Sequence, residues 1–521
     1  MIAQSLDILL FAALCAAILL GFPVAFTLAG IAVAFAYVGW MLGVFDLFLF
    51  RALSQRIFGI MTNQVLIAIP LFVVMGVILE KSKLAEELLI EMGRLFGGLR
   101  GGLAVSVMTV GALLAASTGI VGATVVAMAL IALPAMLANK YDRAFSAGTV
   151  CTAGTLGQII PPSTMLIILS EVMSSSYQQA QFRMGRFSVD TISVGEIFAA
   201  ALVPGLMLFV LYLAYILLRA FLQPSIAPVM RRDAGEPIDL ARIAAVLVPP
   251  IALIIAVLGS ILGGIATPTE AAAVGAVGSL LLAAIKLSKG RTRLPFYLSI
   301  AAILSIVAIA SFTNIRPQRS DATMLDYAAA AFAAFLCLVA LYGIYVAIRR
   351  LARAGIVGEI TSSATSVTAM IFATLIGATI FTLVFRGLGG DLRVEGLLES
   401  MPGGPQGALL FVMAAIFLLG FFLDFVEISV IILPIVAPAL LIMGLDPIWL
   451  SVMIAINLQT SFLTPPFGFS LFYLRGAAPP EITTGDIYRG VIPYIGVQIF
   501  AILIIWFYPP IATGLPNLLF R

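Results

Sequence analysis

GQIIPPSTMLIIL (Gly157–Leu169) and FLTPPFGFSLFYL (Phe462–Leu474) each set a Pro-Pro pair inside a long apolar run. Proline in a helix interior deletes one backbone hydrogen bond and clashes with the preceding turn, at a cost of about 3 kcal/mol. A shift of 304 positions lays Pro161 and Pro162 on Pro465 and Pro466. In the same ungapped register Pro134 falls on Pro438, Asp142 on Asp446, and Gly119–Ala123 on Leu423–Glu427. The two breaks are therefore one feature of an internal repeat, used twice.

Composition says what kind of chain carries them. Of 521 residues, 62% are hydrophobic and 10% charged, with a mean hydropathy of +1.16. A soluble domain carries about 25% charged residues and could not hide this much apolar surface. The reading is an all-α polytopic membrane protein. The formal charge of +3 is small, and no basic tract resembles a nucleic-acid-binding arm. Cys15, Cys151 and Cys337 stand apart in apolar stretches, and there is no histidine, which removes the commonest metal ligand and general base. No nucleophile elbow, phosphate loop or transition-metal spacing is present. An enzyme is not expected, and transport energy would come from an ion gradient. The opening MIAQSLDILL lacks the basic segment of a cleaved signal peptide.

Apolar runs that read as membrane segments cover 5–20, 24–48, 57–79, 102–137, 145–170, 193–218, 243–264, 267–285, 295–313, 325–348, 362–384, 405–443, 447–474 and 490–509. Two of them, 102–137 and 405–443, are too long for one crossing. Each has an interruption near its middle, ASTGIVGAT (Ala116–Thr124) and GFFLDFVEI (Gly420–Ile428). Two short helices meeting at such a tip make a re-entrant hairpin; two ordinary spans with a tight turn are the alternative. Repeats with interrupted helices in matching positions point to a secondary transporter. The expected organisation is 1–99 as N-terminal scaffold helices with an interfacial arm, 100–192 as the first repeat unit and 193–404 as further scaffold. Residues 405–480 form the second repeat unit and 481–521 a C-terminal helix. The arm is KLAEELLIEMGRLFGGL (Lys83–Leu99), where Leu84, Leu88, Leu89 and Met92 recur at helical spacing. That suits a helix lying in the membrane interface or an ordinary amphipathic connector.

Loop charges indicate that the repeats are inverted, since cytoplasmic loops collect Lys and Arg. Arg94, Arg100, Lys140 and Arg143 flank the first hairpin against Asp142, so its base reads as cytoplasmic. Arg386 and Arg393 flank the second against Asp391, Glu395, Glu399 and Asp446, so its base reads as external. Arg51 and Arg56 break the rule, falling outside if 57–79 is a full span.

Broken helices free backbone carbonyls and amides, which a membrane tolerates only where they are buried in protein or line a cavity. Freed carbonyls and half-helix ends are ligands for Na⁺, and helix N-termini favour anions. Thr155, Gly157, Gln158 and Ser163 thus offer oxygens to the tip Ser117–Thr118–Gly119, while Thr460, Ser461 and Thr464 sit opposite a tip carrying Asp424 and Glu427. A back-bond within its own helix is the alternative for each hydroxyl. Asp424 and Glu427 share a helix face at i,i+3, and ionisable groups at membrane depth are functional by default; a helix N-cap at Asp424 is the structural alternative. Glu270 in GIATPTEAAAVG reads as a helix start after Pro268.

On GTLGQIIPPS (Gly154–Ser163), LDFVEI (Leu423–Ile428), NLQTSFLTPPFGFSLFYL (Asn457–Leu474), GIATPTEAAAVGA (Gly264–Ala276) and IGATIFTLVFRGLGGD (Ile376–Asp391), the chain resembles the large membrane subunit of tripartite ATP-independent periplasmic (TRAP) transporters. The resemblance covers nearly the whole chain, and the wording is similar to the subgroup labelled for 2-oxo acids or for mannitol and chloroaromatic compounds. It implies an inverted-repeat elevator-type ion-transporter fold, with both hairpins in a mobile domain against a scaffold. It implies a multi-pass subunit of the bacterial inner (cytoplasmic) membrane that imports organic acids with Na⁺ and needs no other cofactor. A periplasmic solute-binding protein would deliver the substrate, and a separate small four-helix membrane subunit would complete the complex. The resemblance places Na⁺ between each tip and the broken helix beside it, at Thr118, Gly119, Thr155 and Gly157 and at Asp424, Thr460, Ser461 and Thr464. The substrate would lie between the tips, in reach of Ser117, Gln158, Ser163, Glu427 and Gly468. There are two departures. The tip STGIVG stands where many relatives carry Ser-Gly-Ser, and 289–353 holds two additional spans, an even number that leaves the inversion intact. The reading is a Na⁺-coupled organic-acid importer subunit; a stand-alone Na⁺/carboxylate symporter of related hairpin architecture and a passive pore are the alternatives.

Overall fold

The computed structural model describes residues 5–82, 84–119, 121–230, 239–312 and 323–520. Among the described residues there is no strand. Among the same residues nine helices are long and apolar enough to cross a membrane, ten if one bent pair counts as a single span. The chain is an all-α, multi-pass membrane protein.

It begins with α1 (Leu6–Leu19), α2 (Val24–Met41), α3 (Ala52–Met61), α4 (Ala68–Lys81) and α5 (Leu84–Phe96). The single span expected over 57–79 is instead two helices. Asn63 Oδ1 accepts the amides of Val65 and Leu66 at 2.9 and 3.3 Å, a local turn that competes with helix. Leu88, Leu89 and Met92 of α5 are buried in the protein, so this helix packs as a connector. Its Glu91 pairs with Arg242 at 3.0 Å and its Glu87 with Lys286 at 3.1 Å. Lys83 lies outside the described residues.

Hairpin 1 is α6 (Gly102–Thr118) and α7 (Val121–Ala138). The first broken helix is α8 (Arg143–Thr155), a 3₁₀ turn over Leu156–Gln158, then α9 (Thr164–Arg183). Next come α10 (Val194–Leu222), α11 (Leu240–Leu262), α12 (Pro268–Lys286), the extra pair α13 (Leu294–Phe312) and α14 (Met324–Arg353), α15 (Ile356–Gly387) and the short α16 (Gly390–Glu399). Hairpin 2 is α17 (Gly404–Leu419), α18 (Phe425–Ile431) and α19 (Leu433–Ile442), followed by the broken helix α20 (Pro447–Leu463) and α21 (Phe469–Ala477). The chain closes with α22 (Thr484–Phe507) and α23 (Pro510–Phe520), two helices where the sequence led to one. Glu270 is structural: it forms a capping box with Thr267 at the start of α12.

The repeat is visible in small details. Asp142 caps α8 by accepting from the Phe145 amide at 2.9 Å, and Asp446 caps α20 by accepting from the Trp449 amide at 2.8 Å. Every residue of α8 from Phe145 onward and every residue of α20 from Ile448 onward is buried, so the centre of the protein is built from the first halves of the two broken helices. The halves differ at one place. The second arm of hairpin 2 bends by 55° between α18 and α19, whereas α7 runs on unbroken. Pro434 has no N–H for the Val430 carbonyl and its ring crowds that turn; the matching residue of hairpin 1 is Leu130.

Contacts also fix which ends share a face. At the base of hairpin 1, Gly101 and Asp142 donate their amides to the carbonyls of Ala227 and Ile226, just beyond the end of α10. The base of hairpin 2 lies near α16, whose Asp391 meets Arg183 close to the start of α10. The two bases thus sit at opposite ends of α10. Asp7 at the start of α1 pairs with Arg393 of α16 at 2.6 Å, and Lys81 at the end of α4 pairs with Glu359 at the start of α15 at 3.5 Å. The start of α1 and the helix α3 with Arg56 therefore share the face of the hairpin 2 base.

Candidate functional site

Pro161 and Pro162 lack N–H groups, so the carbonyls four residues earlier, on Gly157 and Gln158, have no helical donor. The Ser163 hydroxyl replaces one of them, donating to the Gln158 carbonyl at 3.0 Å. The Gln158 side-chain amide, fully buried, has no hydrogen-bond partner on either atom among the described residues. The next residue, Thr164, reaches across to the hairpin tip and donates to the Gly119 carbonyl at 2.9 Å. Gly119 ends α6 in the left-handed region at φ 61°, and a Cβ there would lie 2.9 Å from the Thr164 amide and hydroxyl. Gly157 packs equally close, since its Cβ would fall 2.6 Å from Ala115 Cβ. Tip and break therefore meet backbone to backbone. The side chains of Ser117 and Thr118 lie outside the described residues.

In the second half, Pro465 and Pro466 leave the carbonyls of Ser461 and Phe462 without helical donors. The Ser461 carbonyl takes the Thr464 amide at 3.0 Å, and the Phe462 carbonyl takes the Ser470 hydroxyl at 2.6 Å. Ser461 ties the break to hairpin 2 by donating from its hydroxyl to the Phe417 carbonyl at 2.7 Å. Thr155, Thr460 and Thr464 make the local bonds that were the alternative reading, donating to Thr152, Ile456 and Thr460 carbonyls at 2.8, 2.8 and 2.7 Å. Asp424 is the N-cap of α18 in a capping box with Glu427: its carboxylate accepts the Phe425 amide at 2.7 Å, and Glu427 accepts the Asp424 amide at 2.9 Å. Both Pro-Pro bonds are cis.

The halves meet on their own symmetry axis. Gln459 Nε2 approaches Thr155 Oγ1 at 3.4 Å, and these residues are 304 apart, the repeat offset itself. A residue that touches its repeat mate lies on the two-fold relating the units, as at an isologous interface. The two tips share an 80 Å³ cavity. Val121 and Gly122 after the first tip, Asp424 of the second, Thr164, Tyr473 and Met370 of α15 are in its wall. Gln158, Ser163, Glu427 and Gly468, expected around a substrate, are not in this wall. Gly468 starts α21, its Cβ position 3.0 Å from the Thr464 amide.

Sequence reading missed the seam between the repeat units and the remaining helices. Pro438 gives no N–H to the Pro434 carbonyl; Arg386 of α15 donates to it instead at 2.7 Å and also to Gln179 Oε1 of α9 at 2.9 Å. Arg183 of α9 bridges Asp391 at 3.1 Å and Glu395 at 2.7 Å on α16. Asn63 donates to Glu171 of α9 at 2.7 Å. Read as loop charges, Arg386 and Asp391 carried no hint of these partners; only the i−4 arithmetic of Pro438 marked a carbonyl in need of a donor.

A family model described as "Tripartite ATP-independent periplasmic transporter, DctM component" matches residues 11–314 and 299–511. The C4-dicarboxylate TRAP transporter large permease protein DctM of Vibrio cholerae is 27% identical over 475 residues, 90% of this chain and 89% of that protein. The ectoine TRAP transporter large permease protein TeaC of Halomonas elongata is 26% identical over 504 residues, 97% of each. Both relatives are named as transport permeases, not enzymes. Among solved structures, the Alcanivorax borkumensis YdaH transporter is similar in fold, with a TM-score of 0.52 at 15% identity over 89% of both chains. With its two hairpins, two broken helices and a family match along almost its full length, this chain belongs to the DctM component family of tripartite ATP-independent periplasmic transporters, as a large permease subunit.

Proposed function

We propose that this permease imports small organic acids together with Na⁺ across a bacterial inner membrane, taking them from a periplasmic solute-binding protein and working beside a small four-helix membrane subunit. The observation that carries this reading is the cavity shared by the two hairpin tips, walled also by Thr164 and Phe462 beside the two helix breaks. Hydroxyl and carbonyl oxygens freed from helical bonding are hard ligands suited to Na⁺. In the first half the ligands would come from the Gly157 carbonyl, freed by Pro161, with the Gly119 carbonyl, the Thr155 hydroxyl and Thr118. In the second they are Thr460, Ser461 and Thr464 with the Asp424 carboxylate. The acid would bind between the tips, in the cavity whose wall holds Thr164 and Tyr473. Units 100–192 and 405–480 would move as one elevator body against 1–99 and 193–404. Burial of both broken helices inside the protein supports motion as a packed unit rather than by local unfolding. A C4-dicarboxylate name on one relative and an ectoine name on another support a carboxylate-bearing substrate.

The test is uptake of radiolabelled carboxylic acids into proteoliposomes holding the permease, the small subunit and the loaded binding protein. Uptake that needs all three components and an inward Na⁺ gradient is expected. Asp424→Asn keeps a good N-cap but loses the charge, so it should raise the Na⁺ concentration for half-maximal uptake about tenfold, and Thr460→Ala should raise it less. Unchanged Na⁺ dependence in both would remove the second ion site. Full Na⁺-driven uptake by the permease alone would replace the tripartite reading with a stand-alone symporter.

A further inference from the structure

A cavity of 510 Å³ lies between α3, α9, α15 and the bend of hairpin 2, apart from the 80 Å³ cavity at the tips. Its size falls within the range of small-molecule sites, about 300–1,000 Å³. Arg56 and Arg386 line it, with Ser175 and Glu171 among its other polar walls. Arg56 makes no hydrogen bond or ion pair among the described residues. Arg386 is fixed by the Pro434 carbonyl and Gln179 through Nη2, while its buried Nε has no hydrogen-bond partner among the described residues. Both arginines stand in the wall of this one cavity. Glu171 keeps its charge, since its partner at 2.7 Å is the neutral Asn63 amide, and Asp391 pairs with Arg183 at 3.1 Å. Two guanidinium groups against the single carboxylate of Glu171 leave the wall positive.

The position of Arg56 also accounts for the charge anomaly in the sequence. Arginines at this end of the scaffold contradict the positive-inside rule, and α3 places Arg56 on the face of the hairpin 2 base, in the wall of this cavity. A cation kept against the topological rule, without an internal partner, and aimed into a cavity beside a second arginine is arranged for an anion. The planar fork of arginine matches a carboxylate with two parallel hydrogen bonds.

We propose that this cavity is a second anion site, in which Arg56 and Arg386 hold a carboxylate of the transported acid on the face of the hairpin 2 base before it reaches the tips. This rests on the functional reading above for the identity of the anion. Arg56 supplies the attraction, and Arg386 links the site to the mobile unit through Pro434 and Gln179. An acid bound here sits on the seam that must shear for the unit to move.

The test needs no transport. Ser175 is exposed in the cavity wall; Ser175→Cys, in the full complex with Cys15 and Cys337 changed to serine, reports on the local potential. The reagents are the anionic methanethiosulfonate ethylsulfonate and its cationic trimethylammonium counterpart. The anion should react faster relative to its rate with a thiol on an exposed loop, and Arg56→Gln should cut that preference about fivefold, with Arg56→Lys restoring most of it. No anion preference at Ser175→Cys, or a preference that Arg56→Gln leaves unchanged, overturns the site. Uptake is read separately: Arg56→Gln should raise the half-saturating acid concentration about fivefold. A wild-type complex that keeps the labelling preference but carries no carboxylic acid would overturn the functional reading and leave the anion site standing.

Discussion

Replacing Gly157 with alanine tests whether the first hairpin and the first break form an ion site together. The added Cβ would fall 2.6 Å from Ala115 Cβ and closer still to the Ala115 carbonyl. Carbon atoms in contact sit about 3.5–4.0 Å apart, so the 3₁₀ turn and α6 must separate by about 1 Å. Overpacking of this kind costs about 1–3 kcal/mol. The displaced groups are backbone on both sides, so no rotamer change can absorb the strain. The gap opens between Gly119 and Thr155, the oxygens assigned to the first ion. Losing about 1.4 kcal/mol of ion affinity raises half-saturation about tenfold. The assay is Na⁺ dependence of uptake in the reconstituted complex, alongside the thermal unfolding midpoint of the purified permease. Gly148→Ala is the control: its Cβ would meet the Gly490 backbone, with Cα at 2.9 Å, between α8 and α22 and away from the tip. It should lower the midpoint by a few degrees without moving the Na⁺ dependence. A Gly157→Ala protein that is destabilised yet needs no more Na⁺ than wild type refutes the ion site, and an equal Na⁺ effect in Gly148→Ala refutes its location.

Other outcomes follow from single contacts. Thr164→Val keeps the shape but deletes the bond to the Gly119 carbonyl, worth about 1 kcal/mol; it should lower the unfolding midpoint slightly and make the hairpin 1 tip more accessible to proteolysis, and Thr164→Ser should restore both. Arg183→Gln removes two ion pairs whose members are between 19% and 32% exposed, so stability should fall by at most about 1 kcal/mol, measured by thermal unfolding; a larger loss would mean that this seam is part of the core. Asn63→Leu deletes both the turn that separates α3 from α4 and the bond to Glu171, and should cost about 1–3 kcal/mol because Glu171 loses its partner.

Much of this molecule was legible because its signals are local. Proline removes an N–H wherever it stands, so Pro161, Pro162, Pro465 and Pro466 announced two breaks, and the interrupted runs at Ala116–Thr124 and Gly420–Ile428 announced two hairpins. Asp424 could be read as a helix N-cap, and the structure realises that reading, with Glu427 completing a capping box, while also placing Asp424 in the cavity wall. The misread segment, 57–79, shows the limit. Its hydropathy suits one span, and a single asparagine side chain, Asn63, turns it into two helices.

The sequence by itself determined the membrane class, the two-fold repeat, the hairpins and the places where backbone oxygens come free, since each depends on neighbours a few residues apart. Tertiary structure decided which of these meet. Thr164 finds the Gly119 carbonyl, Gln459 finds Thr155, and Arg386 finds the carbonyl that Pro438 leaves open. Arg56 reaches a cavity wall opposite α9 and α15. These partners lie tens to hundreds of residues apart, and no periodicity in the chain encodes them. They are set by how buried helices pack around the two central half-helices, where every freed polar group must find a donor, an acceptor or a passing ion.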